Sequence, residues 1–256
     1  MSYRMGLFTA ALLVFASVAP GATVVGWWNF ETGISDQMGN FADGALAGGA
    51  TVGGGQLNLP SGGGGQYYRT GAYLGSAIGD KTLVSWVRLN NLTDGGGSVL
   101  TLEKNGGSQF DGIVYAERQA KRWMAGSNNW FRTQDVSGPG AIDESLTAPD
   151  LIQMAIVYSG NSIALYRNGA PYGNAYTMGT QEGYPTTVTD VIFGLRHVGA
   201  GGGSISVSIE DARVYSGALT QAELQRLVPN TLIVPEPASL AMLAMGALLM
   251  ARRRRA

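Results

Sequence analysis

Cysteine is absent from the 256-residue sequence, and histidine occurs once, as His197. Without thiols the chain cannot form a disulfide-stapled fold, a zinc ribbon, an iron–sulfur cluster or a cysteine nucleophile. A single imidazole also excludes any metal site that needs two histidine ligands. No serine lies in the G-x-S-x-G turn that many serine hydrolases use. We therefore expect His197 to pack or hydrogen-bond within its loop rather than to act in catalysis.

Charge is scarce as well, since only 14% of the residues are charged and the formal net charge is −1. Five of the 17 basic residues lie near the ends of the chain, in Arg4 and the run 252–255. Residues 23–235 carry 12 basic and 17 acidic side chains, so this part of the chain is acidic. We therefore expect no nucleic-acid partner bound through its phosphates.

Glycine, by contrast, is abundant, with 39 copies. The glycines have no three-residue period, which excludes collagen. They cluster in segments 48–55, 62–65, 95–97 and 199–203, which we interpret as mobile or bulged loops. None of these segments carries the Lys-Ser/Thr pair of a phosphate-binding loop, so nucleotide binding is not expected.

The N-terminal 22 residues have the order of a secretory signal peptide. Arg4 precedes an apolar run over Leu7–Val18, which is followed by the small residues of 19–22. The run is too short to span a bilayer comfortably. We predict a signal peptide at 1–22; the alternative is a buried N-terminal helix or strand.

The C-terminal end has a proline-containing segment, an uncharged stretch over 238–251 and a basic run, in that order. The uncharged stretch would reach about 21 Å as a helix, which is short of a roughly 30 Å hydrocarbon core. We predict an extended linker at 229–237, a short transmembrane helix at 238–251 and a cytoplasmic basic tail at 252–256. The alternative is a plain single-span anchor.

This arrangement resembles the PEP-CTERM sorting signal of Gram-negative bacteria. The residues that carry the resemblance are Pro235, Glu236, Pro237, Arg252, Arg253, Arg254 and Arg255. The resemblance implies that an exosortase, which is a membrane transpeptidase, removes the tail during export. The predicted signal peptide adds signal peptidase as a second partner during export. It also implies a precursor in the inner membrane and a mature protein at the cell surface or in an exopolysaccharide matrix.

Short apolar or alternating runs separated by turn residues fill the middle of the chain and predict strands. The runs are Val24–Phe30, Leu83–Leu89, Val99–Leu102, Gly112–Ala116, Ile152–Tyr158, Ile163–Tyr166, Val188–Phe193 and Ile205–Tyr215. Asn168-Gly169 predicts a β-hairpin turn because both residues tolerate positive φ. Thr220 and Glu223 have capping-box spacing, so we predict one short helix after the last strand.

Many strands, long connections and a single short helix favour an all-β, antiparallel two-sheet sandwich over residues 23–228. Four segments resemble the laminin-G-like jelly roll of the concanavalin A-like superfamily. They are Trp27–Asp36, Leu83–Arg88, Ile163–Gly169 and Ile209–Tyr215. The resemblance implies a curved antiparallel jelly-roll sandwich whose relatives bind glycans or proteins, sometimes through calcium.

Glucanases of that superfamily carry carboxylates that alternate along one strand, because a nucleophile and an acid/base must flank one glycosidic bond. No predicted strand of this sequence has such a pattern. Glu210 and Asp211 are adjacent, so their side chains are expected on opposite faces of a strand. We therefore predict no catalytic residue and no enzymatic activity; a glycan-active hydrolase is kept as an alternative.

Calcium is the cofactor that the resemblance suggests, and it binds carboxylate, amide and carbonyl oxygens. The candidate ligands by position in the matched segments are Asn29, Glu31, Asp36, Glu210 and Asp211. The alternative is that these side chains are solvated or paired with neighbours, because relatives usually have Asp at the position of Glu210.

An aromatic and polar segment at 121–132 is the best candidate for a glycan-binding site. Sugar rings stack on exposed aromatic faces, while amides and guanidinium groups hydrogen-bond their hydroxyls. The candidate residues are Arg122, Trp123, Asn128, Asn129, Trp130 and Arg132. The alternative is that both tryptophans are core residues, as we expect for Trp86 within its strand.

Together these features predict an exported protein of the cell surface or exopolysaccharide matrix, with a non-catalytic glycan-binding or adhesion module. Its expected partners are extracellular polysaccharide or a surface protein, and the membrane before processing. A purely structural matrix scaffold without a ligand pocket is the main alternative.

Overall fold

The computed structural model describes residues 21–60, 65–146, 150–201 and 203–232. Within these ranges the chain forms fifteen strands, one α-helix and one 3₁₀ turn. The strands are β1 (Thr23–Trp28), β2 (Ala45–Ala47), β3 (Thr51–Val52), β4 (Leu57–Leu59), β5 (Tyr67–Arg69), β6 (Lys81–Leu89), β7 (Gly97–Lys104), β8 (Gln109–Tyr115), β9 (Trp123–Ser127), β10 (Ile152–Ser159), β11 (Ser162–Arg167), β12 (Ala170–Pro171), β13 (Tyr176–Thr177), β14 (Thr189–Phe193) and β15 (Val207–Ser216). The helix α1 is Gln221–Arg226, and the 3₁₀ turn is Asn128–Trp130.

The strands form two antiparallel sheets. The large sheet has the order β12-β11-β10-β6-β15-β4-β3, with β1 also paired to β15 and β13 to β11. The small sheet has the order β2-β5-β14-β7-β8-β9. One core cluster draws its apolar side chains from both sheets, which is the arrangement of a sandwich. The structure therefore confirms the predicted all-β two-sheet sandwich with one short helix.

Strand β6 shows how alternating side chains build the two layers of apolar packing. Leu83 and Val87 belong to the core cluster shared by the sheets, whereas Val84 and Trp86 belong to a second cluster on the outer face of the large sheet. Leu224 of α1 covers part of that outer cluster. Because both faces of β6 are buried, its sequence is a nearly continuous apolar run rather than an alternating one.

Two local sequence signals are confirmed. Asn168 and Gly169 have φ values of 52° and 70° and connect β11 to β12. A Cβ at Gly169 would lie 2.6 Å from the side chain of Gln225. Position 169 therefore requires glycine both for its positive φ and for this close contact. Thr220 accepts a hydrogen bond from the Glu223 N–H at 3.3 Å, and the Glu223 carboxylate accepts from the Thr220 N–H at 2.7 Å.

Strand β9 lies outside the eight apolar runs that predicted strands. Its five residues are all buried, so no alternation of apolar and polar side chains marks it in the sequence. Pairing with β8 along its whole length makes it a strand. The small residues within it have little strand preference of their own, and tertiary contacts override that preference.

The ends of the domain are packed more closely than expected. Ala22, assigned above to the signal peptide, is 8% exposed and lies in the outer cluster. Asn230 donates its backbone N–H to Asp211 at 2.7 Å, and Val228 pairs with Thr231. Residues 229–232 of the predicted linker are therefore packed against the large sheet rather than extended away from it.

The remaining terminal predictions fall on residues that the structure leaves undescribed. These are most of the signal peptide, the sorting motif, the apolar helix at 238–251 and the basic tail. Within the four described ranges, no helix has both the length and the hydropathy needed to cross a membrane.

Candidate functional site

A cavity of about 270 Å³ opens on the outer face of the small sheet. Its walls come from the start of β8 with the turn before it, from the end of β9 with the 3₁₀ turn, and from the loop after β14. The side chains that line it are Ser108, Phe110, Glu117, Ser127, Asn128, Asn129, Trp130, Arg196 and His197. The cavity therefore joins segments that are far apart in the sequence.

Trp130 lies on the exposed side of this cavity, with 49% of its surface accessible. Its φ of 53° and the φ of 48° at Asn129 place two consecutive non-glycine residues in the left-handed region. This backbone conformation is unfavourable for a bulky residue and persists only where the surrounding structure enforces it. Burial of the indole ring does not offset this strain, because the ring is half exposed. The strained turn therefore holds an aromatic face toward solvent.

A buried ion cluster supports the turn from below. Arg132 is 2% exposed; its backbone N–H donates to Ser127 Oγ at 2.8 Å, and its Nη2 donates to Asn128 Oδ1 at 3.1 Å. Its Nε donates to Asp111 at 2.7 Å, and Lys81 contacts the same carboxylate at 3.0 Å. Arg132 thereby orients the amide of Asn128, whose N–H groups can donate to a ligand.

His197 forms the opposite wall. Its ring stacks on Phe110, with 4.7 Å between centroids and an interplanar angle of 25°. Nδ1 lies 2.7 Å from the carbonyl oxygen of Val198, which can only accept, so Nδ1 carries the proton and Nε2 is an acceptor. Burial lowers the pKa of His197, which keeps the imidazole neutral at pH 7.

Charged groups around the cavity are paired. Glu117 and Arg196 form an ion pair in the wall, with 3.2 Å between Oε1 and Nε. Arg118 lies 5.5 Å from the ring centroid of Trp130 and pairs with Asp135 at 2.6 Å. The cavity thus combines an aromatic face, amide donors and an imidazole acceptor without excess charge. An uncharged ligand that is rich in hydroxyl groups matches this chemistry.

Three of the six predicted glycan-binding residues line this cavity, namely Asn128, Asn129 and Trp130. Arg132 lies beneath the turn and acts on Asn128 rather than on the cavity itself. Arg122 is absent from the cavity lining, and its Nε donates to the exposed Asp143 at 2.7 Å. The structure therefore brings together only the last part of the predicted segment.

Trp123 requires a correction, because it is a candidate glycan-binding residue in the sequence and the structure agrees with the alternative for it. It is fully buried in β9, its ring packs 4.9 Å from that of Tyr115, and its Nε1 donates to Glu144 at 2.9 Å. The strand directs this side chain into the core, whereas the turn that follows β9 directs Trp130 outward. Trp123 is therefore a core residue.

The residues of the second wall of the cavity are not among the predicted site residues. Glu117 lies just beyond the end of β8, and Arg196 and His197 lie just beyond β14. These two strands lie on opposite sides of β7 in the small sheet, so spacing along the chain does not relate them. The only sequence signal was the position of His197 between a strand and a glycine-rich loop.

Two of the predicted calcium ligands are already saturated with hydrogen-bond donors. Asp36 accepts backbone N–H groups from four residues, the shortest being 2.7 Å from Trp27. Asp211 accepts from Trp27 Nε1, from the guanidinium of Arg213 and from the N–H of Asn230 at 2.7 to 2.9 Å. Oxygens surrounded by N–H donors present no lone pairs to a cation.

The other three predicted ligands are not directed at a common point. Glu210 pairs with Arg88 at 2.6 Å, while Glu31 accepts from Asn230 Nδ2 at 3.2 Å. Asn29 Oδ1 accepts from the backbone N–H of Glu31 at 3.3 Å. Across the described residues, no three His, Cys, Asp or Glu side chains converge as metal ligands would. The residues present do not fit a calcium site.

Comparison with protein families gives a match over residues 61–225 to a laminin-G-type model described as the concanavalin A-like lectin/glucanases superfamily. The match covers more than half of the chain. The chain belongs to this superfamily. Three of the four sequence segments that carry the resemblance lie within this match, and the resemblance to the family is thereby confirmed.

Solved structures show where this concanavalin A-like fold recurs. Domain 4 of AbnA, a GH43 extracellular arabinanase from Geobacillus stearothermophilus, was solved with arabinotriose; it is 18% identical with a TM-score of 0.53, and the match covers 80% of this chain and 97% of that one. Botulinum neurotoxin type C is 13% identical with a TM-score of 0.55 over 80% of this chain. The match spans only 50% of the neurotoxin chain. At these identities the similarities show the fold alone.

The concanavalin A-like domain is followed by a second recognisable segment. A model of the PEP-CTERM protein-sorting motif matches residues 234–255, which confirms the predicted motif. A comparison with curated protein sequences found no match.

Proposed function

We propose that this protein is an exported surface protein whose concanavalin A-like domain binds a neutral glycan in the cavity beside Trp130, without cleaving it. The observation that carries the proposal is the strained, exposed Trp130. Its ring offers a stacking face for a sugar, and the amide of Asn128 and Nε2 of His197 offer a donor and an acceptor for hydroxyls.

Binding without hydrolysis is supported by the carboxylates of the cavity. Glycoside hydrolysis uses two carboxyl groups separated by roughly 5 to 9.5 Å, one on each side of the scissile bond. Glu117 is the only carboxylate among the described residues that line this cavity, and it is paired with Arg196. A sugar placed there would meet one neutralised carboxylate rather than an acid and a base.

Two structural neighbours are consistent with glycan binding. The arabinanase domain was solved in complex with arabinotriose, and botulinum neurotoxin type C depends on interaction with two ganglioside molecules to enter cells. Both ligands carry sugars. These facts belong to the neighbours, and for this chain they support only the choice of oligosaccharides as the first probes.

The binding test uses the full chain in mild detergent on an array of neutral and acidic glycans, followed by affinity measurements on the best neutral ligand. We expect Trp130→Ala to weaken binding about tenfold, which corresponds to the loss of about 1.4 kcal/mol of stacking contact. Phe131→Ala is the matched control, since Phe131 is 51% exposed and lies outside the cavity lining. Equal affinities of wild type and Trp130→Ala would reject the cavity as the site. A pure scaffold would bind nothing on the array.

For export we propose the route that the PEP-CTERM motif supports: signal-peptide removal, temporary anchoring by 238–251 and exosortase cleavage near residue 237. Intact-mass measurement of the surface fraction tests this route. We expect a species that ends near residue 237 and lacks the arginines at 252–255. Replacing Pro235 and Pro237 by Ala lets helix extend outward and should leave uncleaved precursor in the inner membrane. A surface species that retains 238–256 would identify a simple anchor.

A further inference from the structure

A second cavity of about 720 Å³ lies on the other side of the β7–β8 turn. The side chains of interest in its lining are Tyr67, Arg69, Asn105, Thr187, Val188 and Asp190. Asp190 of β14 and Phe110 of β8 are both directly opposite Glu103 of β7. Directly opposite residues share a face of a sheet, so both cavities open on the same face of the small sheet.

Arg69 presents a fixed, flat guanidinium group to this second cavity. Its Nε and Nη2 donate to the two carboxylate oxygens of Asp190 at 3.2 and 2.7 Å, and Nη2 lies 3.4 Å from the buried Glu103. Among the described residues Nη1 has no acceptor, so its two N–H groups are available to a ligand. Because the side chain is held in place yet 34% exposed, binding to it orders little that is not already ordered.

Backbone strain marks this cavity as it marks the first. Thr187 has a φ of 69°, and a β-branched residue rarely adopts the left-handed region. Asn105, on the other rim, has a φ of 53°. Nine non-glycine residues with positive φ occur in the described ranges, and four of them line the two cavities. Strain of this kind concentrates at binding sites, where surrounding contacts hold it.

The side chains of the second cavity also indicate the class of ligand. Asp43 and Asp190 face a single cation, Arg69, so an anionic sugar would be repelled. Tyr67 supplies an aromatic ring and Val188, which is 41% exposed, an apolar surface for the C–H face of a sugar. The exposed hydroxyl and amide of Thr187 and Asn105 match sugar hydroxyls. A neutral saccharide is the ligand that this combination fits.

A ridge separates the two cavities. Asn105 and Gly106 line the second cavity, whereas Gly107 lines the first. A Cβ at Gly107 would lie 2.7 Å from the carbonyl oxygen of Val198, so the turn and the loop after β14 meet at this point. Two sugars bound on either side of the ridge would not share a subsite.

From these observations we propose that the second cavity is an independent binding site for a neutral saccharide, so that one domain bridges two segments of polysaccharide. The proposal rests on the proposed function, because it assumes that the first cavity also binds glycan. Bridging would let a single small domain cross-link the polymer in which it is embedded.

A steric block tests the second cavity without removing any contact that holds the fold. Ala45 is exposed, lines the cavity and lies directly opposite Arg69 on the edge strand β2. Ala45→Trp therefore fills the cavity from the rim. Ala170→Trp is the matched control, because Ala170 is an exposed residue of the short strand β12 in the large sheet.

The full chain in mild detergent is mixed with exopolysaccharide purified from the matrix of the native host. Retardation in gels that contain this polysaccharide measures binding, and light scattering measures cross-linking. We expect wild type and Ala170→Trp to bind and cross-link. Ala45→Trp and Trp130→Ala should each still bind but lose cross-linking. The dissociation constant from gel retardation should rise at least tenfold in each variant. The double variant should not bind.

The outcomes separate the two proposals. Wild-type behaviour of Ala45→Trp in both assays would overturn the second site and leave the first intact. Loss of binding in Ala45→Trp with no effect of Trp130→Ala would retain the second cavity and reject the first. If neither variant differs from wild type, or if wild type does not bind, both proposals fail.

Discussion

The backbone N–H of Val198 donates a 2.8 Å hydrogen bond to Oε2 of Glu103, a fully buried carboxyl group on β7. Val198 follows His197, so this bond holds the loop that forms one wall of the first cavity. Burial raises the pKa of Glu103 to about 8, and the neighbouring Asp190 acts in the same direction. Glu103 is therefore mostly protonated at neutral pH. Because its carboxyl group accepts the hydrogen bond from Val198, a change in its protonation should affect the stability of this wall.

Glu103 should make the stability of the fold depend on pH. A carboxyl group with a raised pKa contributes stability that is fully present below its ordinary pKa of 4.5 and is lost as the pH rises through about 8. We expect the free energy of unfolding of wild type to fall over this window relative to Glu103→Gln, whose amide oxygen still accepts from Val198. Denaturant unfolding of both proteins at a series of pH values measures the difference. Parallel curves would contradict the prediction.

His197 should make glycan binding sensitive to acid. In its neutral form Nε2 accepts a sugar hydroxyl, and protonation converts this acceptor into a donor. Because burial lowers the pKa of His197, we expect its protonation to weaken binding only below the ordinary histidine range. Affinity titrations of the best array ligand at about pH 8, 7 and 5 measure this change.

His197→Phe is the variant that isolates the acceptor. Phenylalanine retains the stacking on Phe110 but has no ring nitrogen. The variant should therefore bind glycan more weakly than wild type at pH 7, and its affinity should not change at lower pH. If wild type and the variant show the same pH profile, another group is responsible for the acid sensitivity.

The two tryptophans of the predicted glycan segment should differ in their effect on stability. Trp123→Ala removes a fully buried ring and should lower the free energy of unfolding by about 3 to 5 kcal/mol. Trp130→Ala removes a half-exposed ring from a strained turn and should change it by less than about 1 kcal/mol. Urea denaturation followed by far-ultraviolet circular dichroism measures both. Similar losses would place Trp130 in the core.

Calcium should leave the stability of the described domain unchanged. The oxygens of Asp36 and Asp211 already accept N–H donors, and a ligand stabilises a fold only if it binds the folded state. We expect the same melting temperature in millimolar calcium and in chelator. A rise that chelator reverses would show that these carboxylates rearrange around the ion; occupancy at 100 times Kd would add about 2.7 kcal/mol.

Features that depend on neighbouring residues were predictable from the sequence. The Asn168-Gly169 turn and the capping box of Thr220 and Glu223 are local, because each pairs groups that are at most a few residues apart. The eight apolar runs predicted strands because burial imposes its own periodicity on a segment. The sorting motif was predictable for a related reason, since the order of its three features along the chain is itself the signal.

Burial and cross-strand contact were decided by the tertiary structure alone. Trp123 and Trp130 lie in the same aromatic and polar segment, yet the pairing of β9 with β8 buries the first, and the turn after β9 exposes the second. The cavity likewise exists only because β8 and β14 both flank β7, which places Trp130 opposite His197. Such contacts depend on strand order and on which face of a strand is covered, and neither is determined by spacing along the chain.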